Sequence, residues 1–156
     1  MEMEWLKTRR SGILLHVTAL PSANGIGNIG VAARSWLNLL NSCGASCWQV
    51  CPVGPTGFGS SPYSSLSAFA GNPLLIDLEV LANEGLVDSR SLDRLKAFPS
   101  AHVDYLALEP LVSELLTEAF QRFNDDGKAS LDGSEPLSEF ASKNRFWLDD
   151  YCLYRA

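Results

Sequence analysis

Three groups of residues in this sequence have types and spacings that could do chemistry. The first is the stretch from Gly54 to Glu79, GPTGFGSSPYSSLSAFAGNPLLIDLE. It carries hydroxyls, amides and aromatic rings, and no charged side chain before Asp77. Such a surface suits a neutral, hydroxylated ligand better than a phosphate. Within it, Tyr63 can lay its ring on an apolar sugar face while its hydroxyl hydrogen-bonds, and Ser61 stands two residues away. The competing reading is that Phe58, Tyr63 and Phe69 pin the loop to the core. The second group is His16, at the end of the apolar run Ser11–His16. An imidazole at the carboxyl end of a strand can bind or move protons, though no partner for acid–base work stands near it in sequence. A histidine held in the first loop for structural reasons is the equal alternative.

The third group is Gly25-Ile26-Gly27-Asn28-Ile29-Gly30, a literal G-x-G-x-x-G before a helix. It would make a nucleotide-binding enzyme the remote alternative. Pro21–Asn24 separate it from the preceding strand, and no acid occurs between Glu4 and Asp77 to hold a ribose. The better reading is a glycine loop that admits close backbone approach. Cys43, Cys47 and Cys51 are spaced four apart but fit no usual zinc pattern, and Gly44 interrupts any helix that would align them. They and Cys152 read as buried free thiols, and no metal is expected.

The elements that must position these residues follow from periodicity. Ser11–His16 and Ala45–Val53 are short apolar runs with little polar alternation, as in strands of a parallel sheet covered by helices. Between them, Val31–Cys43 spells an amphipathic helix. Val31, Ser35, Leu39 and Cys43 fall in one row, with Ala32, Trp36 and Leu40 beside it. Gly44 is its stop. Strand, helix and strand make one βαβ unit. Gln49 lies within its second strand. In such folds ligands gather at the carboxyl ends of the strands.

After Glu79 the chain reads as helical. Helices are expected over Val80–Leu86, Ser89–Phe98 and Pro110–Asn124. Asp77 and Glu79 read as the end of a strand and the start of a helix. A polar turn follows from Asp125 to Gly133. Ser134 and Pro136 then open a last helix whose row Phe140, Asn144, Trp147, Tyr151 and Tyr154 reads as core.

The 156 residues, 46% hydrophobic and 19% charged, suffice for one folded domain. The formal charge of −6 is +2 up to Ile76 and −8 from Asp77 onward. That acidic second half excludes nucleic acid as a partner. No apolar run approaches the roughly 20 residues of a membrane span. The start MEMEWLKTRRSGILL lacks the form of a signal peptide, which with reduced thiols leads to a cytoplasmic expectation. The shift near Asp77 divides the chain into 1–79, carrying the loop at 54–79, and a helical, acidic part over 80–156.

SGILLHVTALPSANGIGNIG, CWQVCPVGPTGFGSSPYSSLSAFAGNPLLIDLE and FWLDDYCLYRA together resemble the start of the 4-α-glucanotransferases, also called amylomaltases or disproportionating enzymes. The resemblance covers nearly the whole chain, more loosely between Val87 and Glu135. Asn28 stands where the family commonly has Asp, Val17 where it has Pro, and Ser60 and Ser64 differ around Ser-Pro-Tyr. The resemblance implies an α/β fold, the first part of a (β/α)8 TIM barrel with a helical subdomain inserted after the second strand. It implies transfer of α-1,4-glucan segments by a retaining mechanism, malto-oligosaccharides as ligands, and no cofactor. Tyr63 matches the family's sugar-stacking tyrosine, with Ser61 beside it. The family's catalytic carboxylates lie on later strands and map to no residue here. The expectation is therefore an inactive, marginally folded amino-terminal portion, with a non-catalytic glucan-binding or protein-interaction module as the alternative.

Overall fold

The computed structural model describes residues 8–126, 131 and 134–156. The start of the chain and most of the expected polar turn at 125–133 lie outside the described residues. Two strands, β1 (Gly12–Leu14) and β2 (Cys47–Gln49), pair in parallel, with Gly12 opposite Cys47 and Leu14 opposite Gln49. Helix α1 (Val31–Ser42) connects them. It ends where expected, with Gly44 at φ +72°, the left-handed conformation that glycine adopts without a side-chain clash. The Trp48 indole Nε1 donates to Leu15 O at 2.7 Å and ties the two strands together beyond their ladder.

The strands differ from expectation in burial. All of β1 is exposed, and only Trp48 of β2 is half-buried. Among the described residues the sheet has two strands, so both of its outer edges are open. Cys43, Cys47 and Cys152 are exposed and Cys51 is half-buried, not buried as expected, although all four are free. The buried row of α1 also differs. Ala33 and Leu40 are buried, while Val31, Ser35 and Leu39 face outward.

No strand leads directly into Asp77, contrary to the expectation that it ends one. Pro73–Leu75 form a 3-10 turn, capped by Asn72 Oδ1 accepting from the Leu74 amide at 3.0 Å. Asp77 then caps α2 (Leu78–Asn83) by accepting from the Glu79 amide. Gly85, at φ +77°, follows that helix. Ser91–Ala97 is 3-10 rather than α-helical. Helix α3 (Tyr105–Asp125) starts five residues before Pro110, because Asp104 caps it through the Ala107 amide. Pro110 is tolerated because the carbonyl it leaves unbonded belongs to Leu106, on the solvent side. Helix α4 (Leu137–Arg155) has Pro136 at its N-cap position; Ser134 instead donates to Leu131 O. No residue of α4 is buried, so its aromatic row is not core.

Two apolar clusters hold these elements. Val17, Leu20, Ala33 and Leu75 pack under the sheet with Trp36 and Trp48. Ile26 and Leu74 join the leucines of α2 and α3 in the larger one, where Leu95, Leu108 and Leu115 are almost fully enclosed. Adjacent Leu74 and Leu75 thus enter different clusters, and the 3-10 turn between loop and α2 clasps both.

Candidate functional site

The register places the candidate residues at one edge of the sheet. Leu14 pairs with Gln49, so His16 and Cys51, each two residues beyond, leave the carboxyl ends of neighbouring strands at the same level. Tyr63 joins them through Cys51: its hydroxyl donates to Cys51 Sγ at 3.7 Å. That bond, together with the thiol's charge when ionised, pushes the Tyr63 hydroxyl above its ordinary range. Tyr63 therefore stays a neutral phenol, a donor to Cys51 with oxygen lone pairs left to accept.

Ser61 shapes the turn beneath the ring. Its Oγ accepts from the Tyr63 amide at 3.4 Å, and its carbonyl accepts from the Ser64 amide. The loop folds on itself through the Thr56–Ser65 bridge, the Leu66 amide bonded to Pro55 O, and the Asn72 amide bonded to Val53 O. Ser60 takes φ +51°, the only positive φ outside glycine among the described residues, directly after Gly59 at +81°. Such a conformation costs a non-glycine residue on the order of 1–2 kcal/mol. The Ser60 hydroxyl, donating to Glu109 Oε1 on α3 at 3.3 Å, helps hold it.

None of the loop aromatics is buried. Tyr63 is 78% exposed and Phe58 fully so, which removes the reading in which they pin the loop to the core. Phe69 does anchor the loop, but to α4: its ring stacks on Trp147 at 5.9 Å and meets Phe146 edge-on at 5.3 Å. Sequence reasoning missed both Cys51 and this aromatic clasp. The position of Cys51, two residues past a strand end like His16, was the available signal; the Phe69–Trp147 contact spans 78 positions and had none.

His16 is half-buried beside the 3-10 turn Val17–Ala19, with its carbonyl accepting from the Ala19 amide and its Nδ1 buried without a partner. Burial lowers its pKa below the ordinary 6.5, so it is a neutral imidazole at neutral pH. No hydrogen bond among the described residues joins it to Ser61 or Tyr63.

The glycine loop is filled by the protein itself. A β-carbon at Gly27 would collide with the Val17 carbonyl, and one at Gly30 with Asp77 Oδ2. The Asp77 carboxylate thus occupies the amino terminus of α1, where a nucleotide would place its pyrophosphate. The glycines serve close packing, and the nucleotide reading fails. Among the described residues no three His, Cys, Asp or Glu side chains group as metal ligands. The acids of the later helices instead form exposed ion pairs, such as the two-pronged Arg94–Glu114 contact at 2.6 and 3.0 Å.

A parallel strand–helix–strand unit with an ordered, uncharged loop at its carboxyl edge defines an α/β protein, a class whose members commonly bind ligands at that edge. Within that class the chain belongs to the 4-alpha-glucanotransferase family, whose profile matches residues 15–156. It is 45% identical over 150 residues to a 4-alpha-glucanotransferase of Thermus thermophilus and 41% identical over 151 residues to one of Synechocystis. These alignments take in 95% and 97% of this chain, but 28% and 30% of those proteins. A chloroplastic/amyloplastic 4-alpha-glucanotransferase of Solanum tuberosum is 35% identical over 155 residues, 26% of its length. The amylomaltase of Streptococcus agalactiae, solved in complex with acarbose, superposes with a TM-score of 0.81 at 32% identity over 92% of this chain and 28% of that one. The chain thus spans between a quarter and a third of the length of these relatives.

Proposed function

We propose that this chain is the glucan-holding, amino-terminal part of a 4-α-glucanotransferase, with Tyr63 as the residue that stacks on sugar. The observation that carries the reading is Tyr63 itself, exposed at the carboxyl edge of the strands and fixed from behind by Cys51. An apolar ring face with a neutral hydroxyl matches a pyranose, and the uncharged loop around it rejects no hydroxyl group. Ser61 holds the turn and His16 lines the same edge. Residues 1–79 are the start of a (β/α)8 barrel carrying the loop at 54–79, and 80–156 the helical subdomain inserted after its second strand. The reaction is the transfer of α-1,4-linked glucan segments by a retaining double displacement, whose paired carboxylates belong to barrel strands beyond those described here.

Glucan-affinity electrophoresis of the 156-residue chain tests the holding role. The expected result is retardation by soluble starch that Tyr63→Ala removes and Tyr63→Phe largely keeps. Retardation unchanged in Tyr63→Ala would sink the assignment of Tyr63. The same preparation is expected to release no glucose from maltotriose, and turnover would overturn the placement of the carboxylates.

A further inference from the structure

Tyr63 rides on a segment that the core does not hold. From Thr56 to Pro73 no residue is buried, and the loop's hydrogen bonds close mostly within itself. The Thr56–Ser65 bridge and the Gly57 amide bonded to Ser64 O tie residues 57–64 into one closed tip, so Tyr63 moves with that tip. Its own bond to Cys51 joins a phenol to a sulfur, a weak acceptor, and orients the ring without fixing the backbone beneath it. A loop that must be ordered on binding costs affinity, so a ring that stacks on sugar needs its tip held beforehand.

The described residues supply two supports, and both come from helices of the second half. Three residues before Tyr63, Ser60 holds φ +51°, and its hydroxyl donates to Glu109 Oε1 on α3 at 3.3 Å, across 49 positions of sequence. Six residues after Tyr63, the Phe69 ring stacks on Trp147 of α4 and meets Phe146 edge-on. Trp147 is itself fixed. Its Nε1 donates to Asn144 Oδ1 at 3.0 Å, and the Asn144 amide donates to Phe140 O at 2.9 Å. Glu109, Phe69 and Trp147 belong to neither apolar cluster, so these contacts do not serve the core. We propose that Glu109 and Trp147 are positioning residues for Tyr63: α3 and α4 grip the loop on either side of it and set where its ring meets the glucan. The inference rests on the reading of Tyr63 as the sugar-stacking residue.

Amide hydrogen exchange and retardation by soluble starch, both measured on the 156-residue chain, test the grip and its purpose separately. Glu109→Ala and Trp147→Ala are each expected to speed exchange in peptides spanning 54–72 by roughly two- to tenfold, the effect of one hydrogen bond or one aromatic pair. Exchange in α1 should not change, and retardation should weaken. Glu109→Gln keeps an oxygen acceptor and Trp147→Phe keeps a ring, so both are expected to restore loop protection and retardation. In a Ser60→Gly chain glycine takes the positive φ without strain and no hydroxyl is left to donate, so Glu109→Ala should have no further effect there. Glu114→Ala, which removes an equal charge from the same helix, is the control and should leave loop exchange and retardation as they are. Unchanged loop exchange in both alanine variants, or no rescue by the conservative ones, would overturn the grip. Faster exchange in α1 as well would make the residue concerned merely structural and overturn its assignment. Faster loop exchange with full retardation would show a held loop whose hold does not serve glucan, and would overturn the positioning role. Retardation absent from the wild-type chain, or kept in Tyr63→Ala, would instead overturn the reading of Tyr63 itself, and the positioning role with it.

Discussion

His16 is the residue whose charge state the structure constrains most directly at neutral pH. Burial lowers its pKa below 6.5, so the folded chain takes up its proton less readily than the unfolded one. Well above pH 6.5 both forms are neutral and the imidazole contributes nothing to the pH dependence. As pH falls from 6.5 through the lowered folded value, the unfolded state gains protons that the folded state does not, and stability drops. Urea midpoints measured between pH 7.5 and 5 should therefore fall for the wild-type chain and fall less steeply for His16→Gln. Parallel slopes would mean that the imidazole is not desolvated. The position of His16 after the first strand is readable in the sequence because an apolar run ends there. Its orphaned Nδ1 is not, because that depends on which backbone atoms the following 3-10 turn brings near.

At the scale of elements, the local units were legible and their packing was not. Helix α1, its glycine stop and the two parallel strands follow from short-range pattern and turn chemistry. The start of α3 lies five residues before the expected Pro110, because Asp104 caps it and Leu108 already belongs to the buried row that continues through Leu111, Val112 and Leu115. Burial was the larger error: the thiols of Cys43 and Cys47 and the aromatic row of α4 have the composition of a core, but exposure depends on which neighbours cover them. The loop and α4 meet instead through Phe69 and Trp147, whose rings are inclined by only 20°. Such pairs add about 0.5–1.5 kcal/mol beyond their buried area. A double-mutant cycle of Phe69→Ala and Trp147→Ala, read by urea denaturation, should give a coupling toward the low end of that range, since Phe69 is more than half exposed. The single variants should also hasten proteolysis within residues 54–72. Strict additivity would show that the loop holds its shape without α4.

For the whole molecule, the sheet is the exposed feature. Ile13, Leu14, Val50 and Val53 present apolar surface on and beside two strands whose outer edges carry no further strand among the described residues. An apolar sheet face with open backbone edges is a template for pairing with another chain. The two apolar clusters are well enclosed, so the attraction arises from the sheet and not from a loosened core. The chain is therefore expected to self-associate reversibly as its concentration rises, in a manner weakened by charge on β1 and insensitive to charge elsewhere. Leu14→Lys, at a site already 60% exposed, should shift sedimentation-velocity profiles toward monomer while leaving the thermal midpoint nearly unchanged, because surface substitutions away from packed features usually move stability by less than about 0.5 kcal/mol. Leu153→Lys, at a leucine on α4 that is 79% exposed, is the control and should leave association unaltered. If both variants reduce association alike, net charge governs it. If only Leu14→Lys does, the open parallel pair is the surface through which the copies associate.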